Sequence, residues 1–322
     1  MCGISIIMPV YNKELYIRES INSVINQSFK DWELIIVNDG STDNSLSIAS
    51  SFQDSRIKIF STKNSGVSCA RNFGIDHLNG DYITFFDADD ILDEHYLESL
   101  YDPTADMVLG GLTKIDYKGN IIERVKSPYL GFIRIDKLAE AFYRDQSKTG
   151  IYGYVSTKLI KSRIIKNNNI RFDSSITLAE DFNFFLEVYS NIQSIKFIDY
   201  CGYYYKQETI NSGINVDDKK IDFFKQMQIQ NKVKQFLIKC NSFNKENELK
   251  FEHIMSHYVY TIIINNWNVG YFEFRKKMLA LYKIKSKAVI NMSFLPSLTL
   301  RIYNCHFIGM LYLYSKLHSC MR

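Results

Sequence analysis

The run Trp32-Glu33-Leu34-Ile35-Ile36-Val37 is almost unbroken in apolar residues and stops on Asn38-Asp39-Gly40. A strand of that composition is buried on both faces, as in parallel sheets covered by helices. The neighbouring sequence repeats the pattern. Ile4 to Met8 predicts a first strand, and the next segment carries Ile17, Ile21, Val24 and Ile25 on one helical face. A helix over about Asp43 to Phe52, a strand over Arg56 to Phe60, a helix from near Val67 and a strand over Asp81 to Phe86 continue the alternation. This is the signature of an α/β unit. Each strand ends in polar residues, and open α/β sheets bind ligands outside the carboxyl ends of their strands.

Beyond Asp106 the alternation weakens. Lys118-Gly119-Asn120 reads as the turn of a hairpin joining Leu112–Tyr117 to Ile121–Val125, so the sheet is expected to become mixed. Phe182, Phe185, Leu186 and Tyr189 recur at helical spacing, and Glu180-Asp181 opens that helix. From about Asp217 the pattern is mainly helical, with Pro296 as one interruption. The 322 residues thus divide into a mixed α/β domain over 1–215, with halves 1–110 and 111–215, and a helical region over 216–322.

A hydrophobic content of 46% against 23% charged residues excludes a disordered chain. The six cysteines form no C-x-x-C pair, which excludes a zinc ribbon or dithiol redox centre and predicts reduced thiols. The longest late apolar run, Phe307 to Tyr314, covers eight residues, far short of the roughly 18 a spanning helix needs. Met1 leads directly into the first strand without a signal-peptide pattern, so a cytoplasmic location is expected. Residues 271–322 hold nine Lys/Arg and one acid. Interleaved with aromatic residues, this excess charge suits an anionic membrane surface, nucleic acid, or a helical subdomain packed on its own apolar face.

Four clusters are candidates for chemistry. Asp87-Ala88-Asp89-Asp90 follows a buried strand, where massed carboxylates invite an oxygen-liganded cation such as Mg²⁺ or Mn²⁺, or simply cap the next helix. Asp39, in Asn38-Asp39-Gly40-Ser41-Thr42-Asp43, can accept hydrogen bonds from a base or ribose, or serve the turn alone. In Asn64-Ser65-Gly66-Val67-Ser68-Cys69-Ala70-Arg71-Asn72 a loop runs into a helix, offering N–H groups and a guanidinium to a diphosphate; an arginine on a helix is also commonly just solvated. Glu180-Asp181 supplies a carboxylate for general-base work or for the helix dipole.

Taken in order, these segments resemble the family 2 glycosyltransferases, inverting enzymes with a Rossmann-like, nucleotide-sugar-binding GT-A fold. Ile4 to Asn12, with its P-x-Y-N turn at Pro9, Tyr11 and Asn12, is similar to that family's first strand. Asn38 to Asp43, the N-x-G-x-x-x-A-R-N segment from Asn64 to Asn72, the D-x-D of Asp87-Ala88-Asp89, and Ile170-Arg171-Phe172-Asp173 leading to Glu180-Asp181 complete the match over about residues 3–210.

The resemblance implies a catalytic domain over 1–215, its first half holding the nucleotide sugar and its second the acceptor. It implies that Asp39 binds uracil or ribose, that Pro9, Tyr11, Asn12, Asn64, Gly66, Asp87 and Ala88 lie around the nucleotide, and that Arg71 lies near the diphosphate. Asp89 would ligate Mn²⁺ or Mg²⁺, and Asp181, with Glu180 beside it, would act as general base. The implied reaction moves a sugar from a nucleotide donor, UDP-linked by expectation, to a saccharide or lipid-linked acceptor in capsule or O-antigen synthesis. Peripheral contact with the inner membrane is expected, and no nucleic acid partner. A nucleotidyltransferase and a non-catalytic nucleotide-sugar-binding protein are the competing readings. One departure stands out: residues 203–212 contain no histidine, so Lys206, Glu208 and Ser212 are the polar candidates there.

Overall fold

The computed structural model of the protein describes residues 3–207, 221–266, 268–285 and 294–320. Glu208 and Ser212 lie outside the described residues. The chain forms two compact units, Met1–Asn215 and Val216–Arg322.

The first unit opens with β1 (Ile4–Val10), α1 (Ile17–Ile25), β2 (Trp32–Asp39), α2 (Ser45–Ser50), β3 (Ile57–Thr62), α3 (Val67–His77) and β4 (Tyr82–Phe85). Then come β5 (Ile91–Leu92), α4 (Tyr96–Leu100), β6 (Met107–Leu109), β7 (Leu112–Ile115), β8 (Ile121–Val125), β9 (Gly131–Arg134), α5 (Ile135–Glu140) and α6 (Phe142–Thr149). The unit closes with β10 (Lys158–Lys161), α7 (Ser162–Asn167), α8 (Glu180–Tyr189), β11 (Ser194–Phe197) and β12 (Tyr203–Lys206).

Eight strands form one sheet in the order β3-β2-β1-β4-β10-β6-β11-β9. β3, β2, β1 and β4 run parallel, and β10 is antiparallel to both β4 and β6, so the expected mixed sheet is present. Every residue of β2 is buried, as its apolar run requires. Ile17, Ile21 and Val24, on one face of α1, are buried, each such side chain contributing about 1.5–3 kcal/mol.

Two details differ from the sequence expectation. The hairpin around Gly119 exists, but β7 and β8 belong to a separate four-stranded sheet, β5-β12-β7-β8. The helix expected from Asp43 starts only at Ser45, because the Asp43 carboxylate accepts from the N–H groups of Ser45 (2.9 Å) and Glu14 (3.0 Å) and so fixes the preceding turn.

Register brings the polar strand ends together: Val10 lies opposite Asn38, and Asp39 opposite Thr62. The chain turns after β2 on Gly40, at φ +71°, where a Cβ would lie 2.8 Å from the Asn64 nitrogen. Gly40→Ala is therefore expected to destabilise the protein by about 1–3 kcal/mol. Denaturant midpoints measure this, and an unchanged midpoint would contradict the account.

The second unit contains α9 (Phe223–Lys239), α10 (Lys245–Asn265), α11 (Tyr271–Ile284), α12 (Phe294–Asn304) and α13 (Ile308–Cys320). Asp222 caps α9 and Asn244 caps α10, each through side-chain acceptance of backbone N–H groups. Pro296 does not interrupt α12 but falls in its first turn, where a missing N–H leaves no helical hydrogen bond unmade. Phe274, Met278 and Leu281 form the buried face of α11, and Leu311 is buried on α13. Phe307, Met310, Leu313 and Leu317 stay exposed. Among the described residues no helix is long and apolar enough to cross a membrane.

Candidate active site

A cavity of about 360 Å³ opens at the carboxyl ends of β1, β2 and β4. Pro9, Tyr11, Asp39, Asn64, Gly66, Asp87, Ala88 and Asp89 line it, together with Lys13. Most of the nucleotide-binding candidates thus share one pocket. Asn12 does not line it: the Asn12 side chain, at φ +52°, accepts from the Thr42 N–H (2.8 Å) and holds the neighbouring turn.

Asp39 is buried and already engaged. Its two oxygens accept from the N–H groups of Ser65 (2.9 Å) and Gly66 (2.8 Å). The carboxylate thereby fixes the loop entering α3; Oδ1 also accepts from the Thr62 hydroxyl (3.4 Å), and Oδ2 has a further lone pair that a ligand could use.

The acidic run divides its work. Asp90 is buried, accepting from the Tyr203 hydroxyl (2.6 Å) and the Lys206 N–H (2.9 Å), and burial beside Asp87 and Asp89 pushes its carboxyl well up. Asp89 faces the cavity and forms an ion pair with Lys13. Asp87 accepts from Arg71 Nη2 (3.0 Å). Ser20, on α1, ties the segment down by donating to the Ala88 and Asp90 carbonyls.

Arg71 is 4% exposed and joins two parts of the site. Its Nη1 donates to Asp181 Oδ1 (2.6 Å) and lies 3.7 Å from Glu180 Oε1, while Nη2 reaches Asp87 and the Phe172 ring lies 5.3 Å away. Burial opposes the guanidinium charge, but Asp181, Asp87 and Glu180 outweigh it and raise the Arg71 pKa. Asp181 is pushed up to about 7, chiefly by burial, against the pull of Arg71 and with Glu180 and Asp87 adding to the rise. A carboxyl titrating near neutrality is suited to general-base work.

Three polar residues were not singled out in the sequence. Lys13 sits among polar residues just past β1 and carries no motif of its own. Tyr203 supplies the hydroxyl that holds Asp90. Lys158 is fully buried in β10, where its ammonium donates to the Ile151 carbonyl (2.9 Å) and the Tyr154 carbonyl and lies 4.4 Å from the Phe185 ring. Burial lowers its pKa to about 7, against the attraction of Asp181. Lys-Leu-Ile-Lys looks like a half-exposed strand, which hides this residue. The Lys206 ammonium, expected at the site, pairs instead with Glu19 at 2.5 Å.

The donor set fits a divalent ion only in part. Asp89 faces the cavity with Asp87 nearby, but among the described residues no three His, Cys, Asp or Glu side chains gather as a metal site. Mg²⁺ and Mn²⁺ commonly bind through one or two carboxylates with substrate phosphates and water completing the shell, and Asp87 and Asp89 suit that arrangement.

Fold and site together define a mixed α/β protein with an acid-lined cavity at the carboxyl ends of its parallel strands, and known proteins share this fold. S. aureus TarS 1–349 in complex with UDP superposes with a TM-score of 0.62 at 18% identity, over 99% of this chain and 92% of that one, so the fold is of the GT-A type. A model described as glycosyl transferase family 2 matches residues 5–161. EpsJ of Bacillus subtilis, an uncharacterized glycosyltransferase, is 33% identical over 238 residues, 71% of this chain and 68% of EpsJ. The minor teichoic acid biosynthesis protein GgaA of B. subtilis is 46% identical over 106 residues, 30% of this chain and 24% of GgaA. Two further relatives, 45% and 43% identical, are spanned over only 14% and 52% of their length. The chain belongs to glycosyltransferase family 2.

Proposed function

We propose that this chain transfers a sugar, with inversion, from a UDP-linked donor to a saccharide or lipid-linked acceptor in surface polysaccharide synthesis. The observation that carries the reading is the buried Arg71, which joins Asp87 on the donor cavity to Asp181 at the head of α8. UDP bound to TarS supports the nucleotide, and the similarity to GgaA supports the cell-surface setting.

In this mechanism Asp181 takes the proton of an acceptor hydroxyl. The freed oxygen attacks the anomeric carbon from the face opposite the diphosphate, whose bond to that carbon breaks. Arg71 orients the base and favours its ionised form against the effect of burial; Asp39 and the Ser65–Gly66 backbone shape the nucleotide end of the cavity. Asp89 and Asp87 would hold a bound Mg²⁺ or Mn²⁺, which supplies Lewis-acid stabilisation of the departing diphosphate. Exposed Phe307, Met310, Leu313 and Leu317, with exposed Arg275 and Lys276, suit peripheral contact of the second unit with an anionic membrane.

The test is a panel of UDP-, GDP- and dTDP-sugars offered to the full chain with Mn²⁺. Release of UDP from one sugar donor, giving a product of inverted anomeric configuration by NMR, is expected. A retained configuration would overturn the mechanism. Pyrophosphate release from a triphosphate would favour nucleotidyl transfer, and binding without turnover a non-catalytic role.

A further inference from the structure

The cation at Asp89 is supplied by the chain itself. Lys13 and Asp89 are 76 residues apart in sequence, and both side chains are about one-third exposed on the wall of the donor cavity. The base of Lys13 is fixed from behind. Its N–H donates to Ser45 Oγ at 2.7 Å, and the next N–H, of Glu14, donates to Asp43. The flexible four-carbon stem beyond that anchor can still redirect the ammonium.

The carboxylates acting on that ammonium are Asp89, Asp87 and Asp90. Asp90 is held by Tyr203 and Lys206, and Asp87 by Arg71, so Asp89 is the carboxylate that Lys13 neutralises. A divalent ion arriving alone therefore meets an acid that already has a counter-charge, with too few further side-chain ligands among the described residues to complete a shell. A diphosphate changes both conditions. It brings oxygen ligands for the ion and a more highly charged partner for the ammonium.

Building on the donor reading above, we infer that Lys13 is a tethered counter-ion that makes divalent-metal binding depend on the nucleotide. It pairs with Asp89 before the donor enters and moves to the diphosphate when the donor binds, so that nucleotide and ion bind as a coupled pair. Coupling of this kind is reciprocal: the factor by which UDP strengthens Mn²⁺ binding equals the factor by which Mn²⁺ strengthens UDP binding.

The experiment measures Mn²⁺ binding to the full chain by electron paramagnetic resonance, with and without UDP, in the wild type, Lys13→Met and Lys63→Met. Lys63→Met removes one positive charge from the loop beside Asn64 and controls for the general field. Lys13→Met is expected to bind Mn²⁺ about fivefold more tightly without UDP, the upper range for a part-exposed ion pair. The coupling factor should fall by a similar amount, while Lys63→Met leaves it unchanged. UDP binding with the same coupling in Lys13→Met and wild type would overturn this inference alone. Absence of UDP binding to the wild type would overturn the donor reading and the inference with it.

Discussion

Asp181→Asn is expected to slow sugar transfer about 10²–10⁴-fold, the usual range for removal of a general base, while binding UDP as the wild type does. Asparagine keeps the size of the side chain and an oxygen for Arg71 Nη1, 2.6 Å from Asp181 Oδ1, but it cannot take a proton. The pH dependence follows from the same group. Transfer needs the ionised carboxylate, and burial has pushed Asp181 up to about 7. The wild-type kcat/KM should therefore fall about tenfold per pH unit on the acid side of that value and level off above it. In Asp181→Asn this limb should vanish, leaving a slow and flatter profile. A variant that retained more than about a tenth of the wild-type rate would remove Asp181 from the role of base.

Arg71→Met is expected to have the largest effect on stability. It leaves Asp87, Asp181 and Glu180 around an apolar side chain in a buried position, and breaking such a pair costs about 3 kcal/mol. For a domain of this size that lowers Tm by about 6–12 °C. The sign of the pH dependence is set by Asp181, whose folded pKa already lies above the ordinary carboxyl value and rises further once the guanidinium is gone. A carboxyl raised in the folded state binds more protons there than in the unfolded chain, so stability falls as pH rises through that window. The gap between variant and wild type should be widest above about pH 7 and narrow on acidification. Arg71→Lys should recover part of the stability, because the charge returns without the two-pronged donor geometry. Thermal scans between pH 5 and 8 check this, and a gap that is small or independent of pH would sink the electrostatic account.

Much of this arrangement is legible in the chain because burial leaves a period. The apolar run ending at Asn38, the helical spacing from Ile17, and the polar residues after Phe86 each record their own element's surroundings. The D-x-D and N-x-G segments stand at strand and helix boundaries, where local rules of turn and cap chemistry apply. What the sequence hides are meetings between elements. Lys13 and Asp89 share no local pattern; their approach depends on the ends of β1 and β4 lying side by side. Asp90 looks like its neighbours, and only the arrival of Tyr203 from a strand 113 residues later makes it a structural acid. Lys158 is misleading for a further reason. A short strand with lysine at both ends looks exposed, yet β10 is inserted between β4 and β6, which buries its first residue.

That insertion has a consequence for anyone wishing to dissect the molecule. β10 is the partner through which β6 joins β4. The tiny β5 pairs with β12, and Arg71 finds Glu180 and Asp181 on α8. The segment ending near residue 110 would leave the ribosome with a raw sheet edge and an arginine facing too few counter-charges. It is not a detachable cassette, and chimeras that exchange acceptor preference should swap loops within the whole first unit rather than graft one half onto another.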